Sequence, residues 1–86
     1  MTRIEFEVAR ARAEVAECER VFAEAVRFAN RMMGDLNQAV ENGWTTACSA
    51  NNVATAAIEV GQIGERLAAR RAALKTVEDL NGCFSR

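Results

Sequence analysis

The fold is decided by residues 4–36, which read IEFEVARARAEVAECERVFAEAVRFANRMMGDL. Apolar residues recur in this stretch at alternating steps of four and three, from Ile4 to Leu36. Between these two they stand at Val8, Ala11, Val15, Cys18, Phe22, Ala25, Ala29 and Met32. Side chains with this spacing form one stripe along a helix, which is typical of a helix that packs lengthwise against another in a coiled coil. We call this stripe the seam and expect a second helix to cover it.

The first helix is predicted over about residues 3–33. Thr2 is followed three residues later by Glu5, the pattern of a capping box that satisfies the first free backbone amides. Gly34 is the first residue that could interrupt the helix, and residues 35–42 could then form a short third helix. The chain contains no proline that would end the helix earlier.

A second helix is predicted over about residues 47–80, after a turn at 43–46. Asn42-Gly43 before the turn and Asn81-Gly82 at the far end are both stop signals, because glycine readily takes the left-handed position that follows a helix. The stripe of the second helix consists of Val53, Ala56, Val60, Ile63, Leu67, Leu74 and Val77. The connection is short, so the two helices should lie antiparallel as one all-α helical hairpin, a single domain over residues 1–86.

The residues that flank the seam change character along the first helix. They are charged in its first half, as at Glu7 and Glu14, and become apolar in its second half. A stripe that widens in this way needs more than one neighbour. A second hairpin would cover it by forming a four-helix bundle as a homodimer; the short third helix or a foreign protein are the alternatives. The predicted core or dimer face comprises Val15, Cys18, Val21, Phe22, Val26, Phe28, Met32, Met33, Val60, Ile63 and Leu67.

Composition argues against several classes of function. The formal net charge of −1 over 86 residues gives no general attraction to nucleic acid or anionic lipid. The N-terminus lacks the apolar core of a signal peptide, and no apolar run approaches the ~20 residues that span a bilayer. We therefore expect a cytoplasmic protein, in the host bacterial cytoplasm if a phage encodes it, that binds neither membrane nor nucleic acid.

Catalytic and metal chemistry find little support among the residue types. The chain has no histidine and no tyrosine, so the usual general bases and nucleophile activators are missing. Its three cysteines are widely spaced, and structural zinc needs four cysteine or histidine ligands. We expect no enzyme activity, no cofactor, no metal site and no small-molecule substrate.

The turn is the first candidate surface for a protein partner. Trp44 is the single tryptophan, and between Met32 and Ile58 the charged residues are Asp35 and Glu41 alone. A large aromatic side chain among neutral amides, here Asn42, Asn51 and Asn52, is typical of the centre of a protein interface. The alternative is that the indole folds inward and plugs the open end of the bundle, since tryptophan is common in both settings.

A group of basic residues in the second helix is the next candidate. It consists of Arg66, Arg70, Arg71 and Lys75. The group could bind an acidic protein surface. In an antiparallel hairpin, however, Arg70 comes level with about residue 18, near Glu14, Glu17 and Glu19, so these charges could instead pair across the two helices and fix their register.

Two glycines lie inside the second helix, Gly61 and Gly64. Glycine costs about 1 kcal/mol relative to alanine within a helix. Such a cost is commonly offset where another helix approaches the backbone closely, and the alternative is that both are tolerated surface residues.

Two family resemblances follow from these residues. The hairpin with Gly43-Trp44-Thr45-Thr46 at its turn resembles the secreted WXG100 proteins, whose turn carries Trp-x-Gly; the glycine after the tryptophan and the tyrosine-containing export signal are missing here. The stretch 63–74, IGERLAARRAAL, resembles a helix of the small all-helical phage proteins that inhibit CRISPR systems. The second resemblance implies a phage-type inhibitor that occludes a host defence complex.

The sequence therefore predicts a small non-enzymatic protein that works by binding another protein, most specifically such an anti-CRISPR inhibitor. A secretion-system co-chaperone or a WXG100-like secreted hairpin is the alternative, and a structural dimerisation module is the third hypothesis. The partner-binding residues are predicted to be Trp44, Asn42, Asn51, Asn52, Arg66, Arg70, Arg71 and Lys75.

Overall fold

The chain folds as two long helices joined by a short connection. The structure, a computed structural model, describes residues 2–84, with side chains as far as Cys83. Helix α1 spans Arg3–Glu41 and helix α2 spans Ala47–Phe84, and they pack against each other along their lengths. The all-α antiparallel hairpin predicted from the seam is confirmed.

The start of α1 is fixed by the predicted cap. The Thr2 hydroxyl oxygen accepts a hydrogen bond from the Glu5 backbone N–H at 3.2 Å, and the Thr2 carbonyl accepts one from the Phe6 N–H at 3.0 Å. These bonds satisfy amides that have no partner within the first helical turn.

Helix α1 continues without a break through Gly34 to Glu41, so its predicted end at residue 33 is wrong and the possible short third helix over 35–42 does not form. A Cβ atom at Gly34 would meet nothing within 4 Å, which places this residue on the solvent side. Its cost in helix propensity, about 1 kcal/mol, is offset because the following turns extend the seam. Leu36 is half-buried and Ala39 is only 4% exposed.

The end of α1 is a Schellman motif built on Gly43, which has a φ of +66°. The Gly43 N–H donates to the Val40 carbonyl at 3.2 Å, and the Trp44 N–H donates to the Ala39 carbonyl at 2.9 Å. Glycine is favoured here because L side chains rarely adopt this left-handed conformation. The motif turns the chain sharply and fixes the backbone of Trp44 against the last turn of α1.

Helix α2 begins at Ala47, as predicted, with the Thr46 carbonyl accepting from the Ala50 N–H at 2.8 Å. It does not end at Asn81-Gly82 but runs to Phe84, so the predicted boundary at residue 80 is wrong. Asn81 lies four residues after Val77, on the seam side, and is half-buried. Packing along the seam therefore overrides the local stop signal.

The core is a single thin layer between the two helices. Every residue predicted for either stripe is buried or half-buried. Among the described residues the buried apolar ones are Val8, Val15, Ala39, Ala56, Ile63 and Leu67. Neither helix, within residues 2–84, has an apolar stretch long enough to cross a membrane.

The hairpin is a rod of 66 × 16 × 14 Å with a radius of gyration of 19.2 Å. A compact chain of this length has a radius of gyration of about 12 Å. The accessible surface of 6304 Å² is roughly a quarter larger than that of a compact monomer of the same mass. The fold thus leaves a large area uncovered, and the function depends on what this surface carries.

Candidate protein-binding surfaces

Ion pairs between the helices mark one side of the hairpin. Arg12 donates to the Glu78 carboxylate at 3.0 Å, and Arg71 lies 3.6 Å from the carboxylate of Glu19. Arg12 and Glu19, the α1 members of these pairs, each immediately follow a seam residue. Both pairs therefore flank the seam on the same side. We call this side the Arg12 face.

The opposite side of the seam, here the Glu14 face, carries a different set of contacts. Glu14 accepts a hydrogen bond from Arg70 at 3.3 Å and lies 3.4 Å from Arg10. Nearer the turn this face has an open groove, which is lined by Val21, Glu24, Ala25, Phe28, Glu59 and Ile63. Two carboxylates, Glu24 and Glu59, therefore border the apolar residues of this groove.

The apolar flanks of α1 therefore lie on two faces, which corrects the single widened stripe inferred from the sequence. Val21 and Phe28 precede seam residues and lie on the Glu14 face, whereas Val26 and Met33 follow seam residues and lie on the Arg12 face. Residues directly before and after a seam position point to opposite sides of it, because successive residues of a helix are about 100° apart. One neighbouring helix cannot cover both.

The basic group of α2 is divided by the same geometry. Arg70 pairs with Glu14 on one face and Arg71 with Glu19 on the other, while Lys75 pairs with Asp79 of its own helix at 3.1 Å. Arg66 is exposed. The structure thus does not bring these four residues together as one basic surface, and the predicted cross-helix pairing is confirmed for Arg70 and Arg71.

A further ion-pair cluster lies wholly on α1. Arg20 donates to Glu17 at 3.1 Å and to Glu24 at 2.7 Å. The hydrogen bonds from Arg20, together with its positive charge, hold the pKa of the Glu17 carboxyl below its ordinary value. Glu17 is therefore engaged within its own helix, and Glu14 is the partner of Arg70.

The turn end presents Trp44 to solvent. The residue is 60% exposed, and Val40, one helical turn before it, is 62% exposed. Because the Schellman motif holds the Trp44 backbone in place, the indole stands on a rigid support. In the single hairpin the indole does not fold inward between the helices, and its exposure is what a contact residue requires.

The amides near the turn differ in their availability. The Asn42 side chain donates to the Gln38 carbonyl at 2.8 Å and so serves as part of the helix cap. Asn51 and Asn52 are exposed on the first turns of α2, and the Asn52 amide lies 4.0 Å from the Cys48 sulfur, a weak contact. Asn42 thus has a structural role, while the other two amides are accessible.

The predicted core or dimer face separates into three groups. Val15, Ile63 and Leu67 are buried between the helices. The half-buried members are Cys18, Val21, Phe22, Val26, Met32 and Val60. Phe28 and Met33 are exposed, each on its own face. The first group forms the core of the hairpin, and the exposed residues are left for a partner.

Four exposed apolar residues were not predicted as candidate contacts: Phe6, Val40, Ile58 and Leu80. The sequence contains a pattern that predicts the place of Val40, because Val26, Met33 and Val40 are seven residues apart. Positions seven apart share one side of a helix that follows a heptad repeat. Ile58 lies on the outer side of α2, away from α1, and belongs to no such row.

Comparison with known proteins gives no match. No family model fits the chain, and no curated protein or solved structure is significantly similar to it.

Proposed function

We propose that this is a non-enzymatic protein-binding protein that contacts its partner with the turn end of the hairpin. The observation that carries the proposal is the exposed Trp44 on its Schellman motif. The backbone of Trp44 is already fixed by its hydrogen bond to Ala39, so binding need not order the turn, and tryptophan is enriched among residues that dominate binding energy. The neutral residues around it lower the cost of removing water from the contact.

The more specific proposal is a phage-type inhibitor that acts in the host bacterial cytoplasm by occluding a CRISPR-type defence complex. Its support is the resemblance of residues 63–74 together with the shape of the molecule, a narrow rod with an aromatic end. Within the hairpin, Ile63, Leu67, Arg70 and Arg71 pack or pair with α1. The turn end, rather than this stretch, is therefore the part proposed to touch the partner.

Expression in bacteria with an active CRISPR system tests the inhibitor proposal. We expect the protein to restore plaque formation by a targeted phage by several orders of magnitude, and Trp44→Ala to abolish this effect while leaving helicity and melting temperature nearly unchanged. Ile58→Ala is the matched control, since Ile58 is equally exposed but lies away from the turn. Full activity of Trp44→Ala would contradict the assigned contact.

Fluorescence provides a direct reading of the same contact. Trp44 is the only tryptophan, so the emission of the protein reports on this position alone. Binding of a purified defence complex should shift the emission to shorter wavelength as the indole leaves water. A complex that is inhibited without any change in Trp44 emission would count against the turn end as the contact.

A further inference from the structure

The Arg12 face loses its charges halfway along the hairpin. Proceeding from Arg12 and Glu19 toward the turn in steps of seven residues, α1 presents Val26, Met33 and Val40. On α2 the row that carries Glu78 and Arg71 continues with Gly64, Ala57 and Ala50. Both helices thus replace ion-paired side chains by uncharged ones at the same level of the rod.

The rows next to these are uncharged as well. On α1 this outer row consists of Ala23, Asn30 and Asn37, and on α2 of Ala54, Gly61 and Ala68. We call these twelve residues, six from each helix, the uncharged face. It extends over 18 residues of α1, about 27 Å at 1.5 Å per residue. Met33 is 45% exposed on it, so α2 does not cover the face.

A solvated face of a hairpin this thin would be expected to carry charge, as the Glu14 face does. Instead the uncharged face has the composition of a helix surface that packs against other helices. Gly61 adds to this, because a Cβ there would meet nothing within 4 Å in the hairpin. Glycine lowers helix stability at such a position without any benefit to the single chain.

We propose that the uncharged face binds a second copy of this chain, with the twofold axis of the dimer parallel to the helices. In this arrangement the shape of the uncharged face is complementary to that of its copy. The row on α1 is bulky at Val26, Met33 and Val40, whereas both rows on α2 are built of alanine and glycine. A twofold axis along the rod lays α1 of each copy over α2 of the other, so bulky side chains enter shallow grooves.

The positions of the residues along the rod also fit this arrangement. Glu19 lies level with Arg71 and Arg12 with Glu78, as their ion pairs show. Continuing in steps of seven on both helices brings Met33 level with Ala57. A twofold axis along the rod does not change the position of a residue along the rod. Met33 of one copy therefore lies over Ala57 and Ala54 of the other. A twofold axis across the rod would instead set the bulky rows against each other and leave the small rows apart.

Charges at the open end are also complementary under the same symmetry. With levels preserved, Glu19 of one copy comes opposite Arg71 of the other, and Arg12 comes opposite Glu78. Each ion pair within a chain would thus be joined to its symmetry mate in a group of four alternating charges. Opposite charges facing each other across an interface favour one register over others.

The available area is sufficient for a specific dimer. With a rod width of 16 Å, the uncharged face alone contributes on the order of 900 Å² over both copies, and contact along the whole rod on the order of 2,000 Å². Specific protein interfaces bury about 1,200–2,000 Å². The thin core and the excess accessible surface of the hairpin are both what one half of a four-helix bundle would show.

Light scattering after size exclusion tests the proposal on the full chain. We expect the wild-type mass to be twice 9.4 kDa. Met33→Glu should reduce it to the monomer mass, because the carboxylate would be buried against alanine. Ile58→Glu, on an exposed apolar residue outside the face, should remain a dimer. A monomeric wild type, or a dimeric Met33→Glu, would overturn the proposal.

Gly61→Leu gives a second variant that does not add charge. The leucine side chain has open space in the hairpin, so helicity by circular dichroism should be retained, while the close approach of the second copy is blocked and the mass should fall to that of a monomer. A fully dimeric Gly61→Leu would contradict packing on this face. These outcomes do not depend on Trp44, so they are distinguishable from failure of the proposed partner contact.

The direction of the two copies is tested with spin labels on Cys83, which is exposed at the open end. Cys18→Ala and Cys48→Ser leave this cysteine as the single labelling site. A twofold axis along the rod places both labels at one end, within about 30 Å of each other, whereas a twofold axis across the uncharged face separates them by on the order of 70 Å. The long distance would overturn the proposed symmetry.

Discussion

The two halves of the Arg12 face share one geometry and differ in chemistry. In the half near the open end, Arg12 and Arg71 form ion pairs across the helices, while in the half near the turn the equivalent positions on α1 are held by Val26 and Met33. The seam beneath is continuous through both halves. The seam therefore determines the hairpin, whereas its flanks determine what each half can contact.

Exposed ion pairs of this kind contribute little stability, about 0–1 kcal/mol each, and salt screens them. In the open-end half these ion pairs disfavour other registers of the two helices. The half near the turn has no such pairs on the Arg12 face. Its register depends on the short connection and on the packing of the seam.

The largest effect is expected where the two halves meet. Leu67 is buried in the seam, and Leu67→Ala should lower the free energy of unfolding by about 2–5 kcal/mol because it removes contacts and leaves a cavity in a thin core. Thermal and urea denaturation followed by circular dichroism, at a fixed protein concentration, would measure this loss.

Leu80→Ala is the matched control for that substitution. Leu80 is exposed near the open end, so the same change of side chain there should cost less than 1 kcal/mol. Equal losses for the two variants would mean that the seam does not form the core of both halves.

A smaller effect is expected from reversing a charge in the open-end half. Arg70→Glu replaces the contact with Glu14 by repulsion and should destabilise the hairpin by about 1 kcal/mol at low salt. Glu14→Arg in the same chain should recover most of the loss, whereas Glu17→Arg should not, because Glu17 is bonded to Arg20. Denaturation at two salt concentrations measures both; rescue by Glu17→Arg would show that the pairing is not specific.

The smallest effect distinguishes two glycines in the half near the turn. Gly34 faces solvent, so Gly34→Ala should raise the free energy of unfolding by about 0.5–1 kcal/mol. Gly61→Ala should raise it by the same amount if the hairpin stands alone, and by less if a second copy lies close to the backbone there. Parallel urea denaturation of both variants makes the comparison, and a loss of stability in Gly34→Ala would refute its placement on the solvent side.

Much of the fold follows from periodicity alone. The steps of four and three identified residues that are all buried or half-buried, although the predicted stripe stopped at Leu36 and missed Ala39. Asn42-Gly43 located the turn, because these signals act over one or two helical turns. Pairing of Arg70 with an acidic residue of α1 also followed, since an antiparallel hairpin with a known turn fixes which residues are level; the choice of Glu14 among its neighbours did not.

The misjudged features are those in which packing competes with a local signal. Gly34 and Asn81-Gly82 are residues at which isolated helices often end, yet the seam continues beyond each and its burial prevails. Val21 and Val26 lie on different faces. Assigning each to its face requires the angular position of the residue relative to the seam, which the presence of apolar flanks alone does not give. The exposure of Trp44 depends on the Schellman hydrogen bonds that orient the turn.

The separation along the chain of paired residues has a consequence for how the hairpin forms. Gly43 and Trp44 bond to residues three and five positions away, whereas Arg12 and Glu78 are 66 residues apart. Closing a long loop costs more entropy than closing a short one, so we expect pairing of the helices to start at the turn and proceed toward the termini. We expect the contacts of the open end to form last and open first, and amide hydrogen exchange to quicken progressively with distance from Gly43.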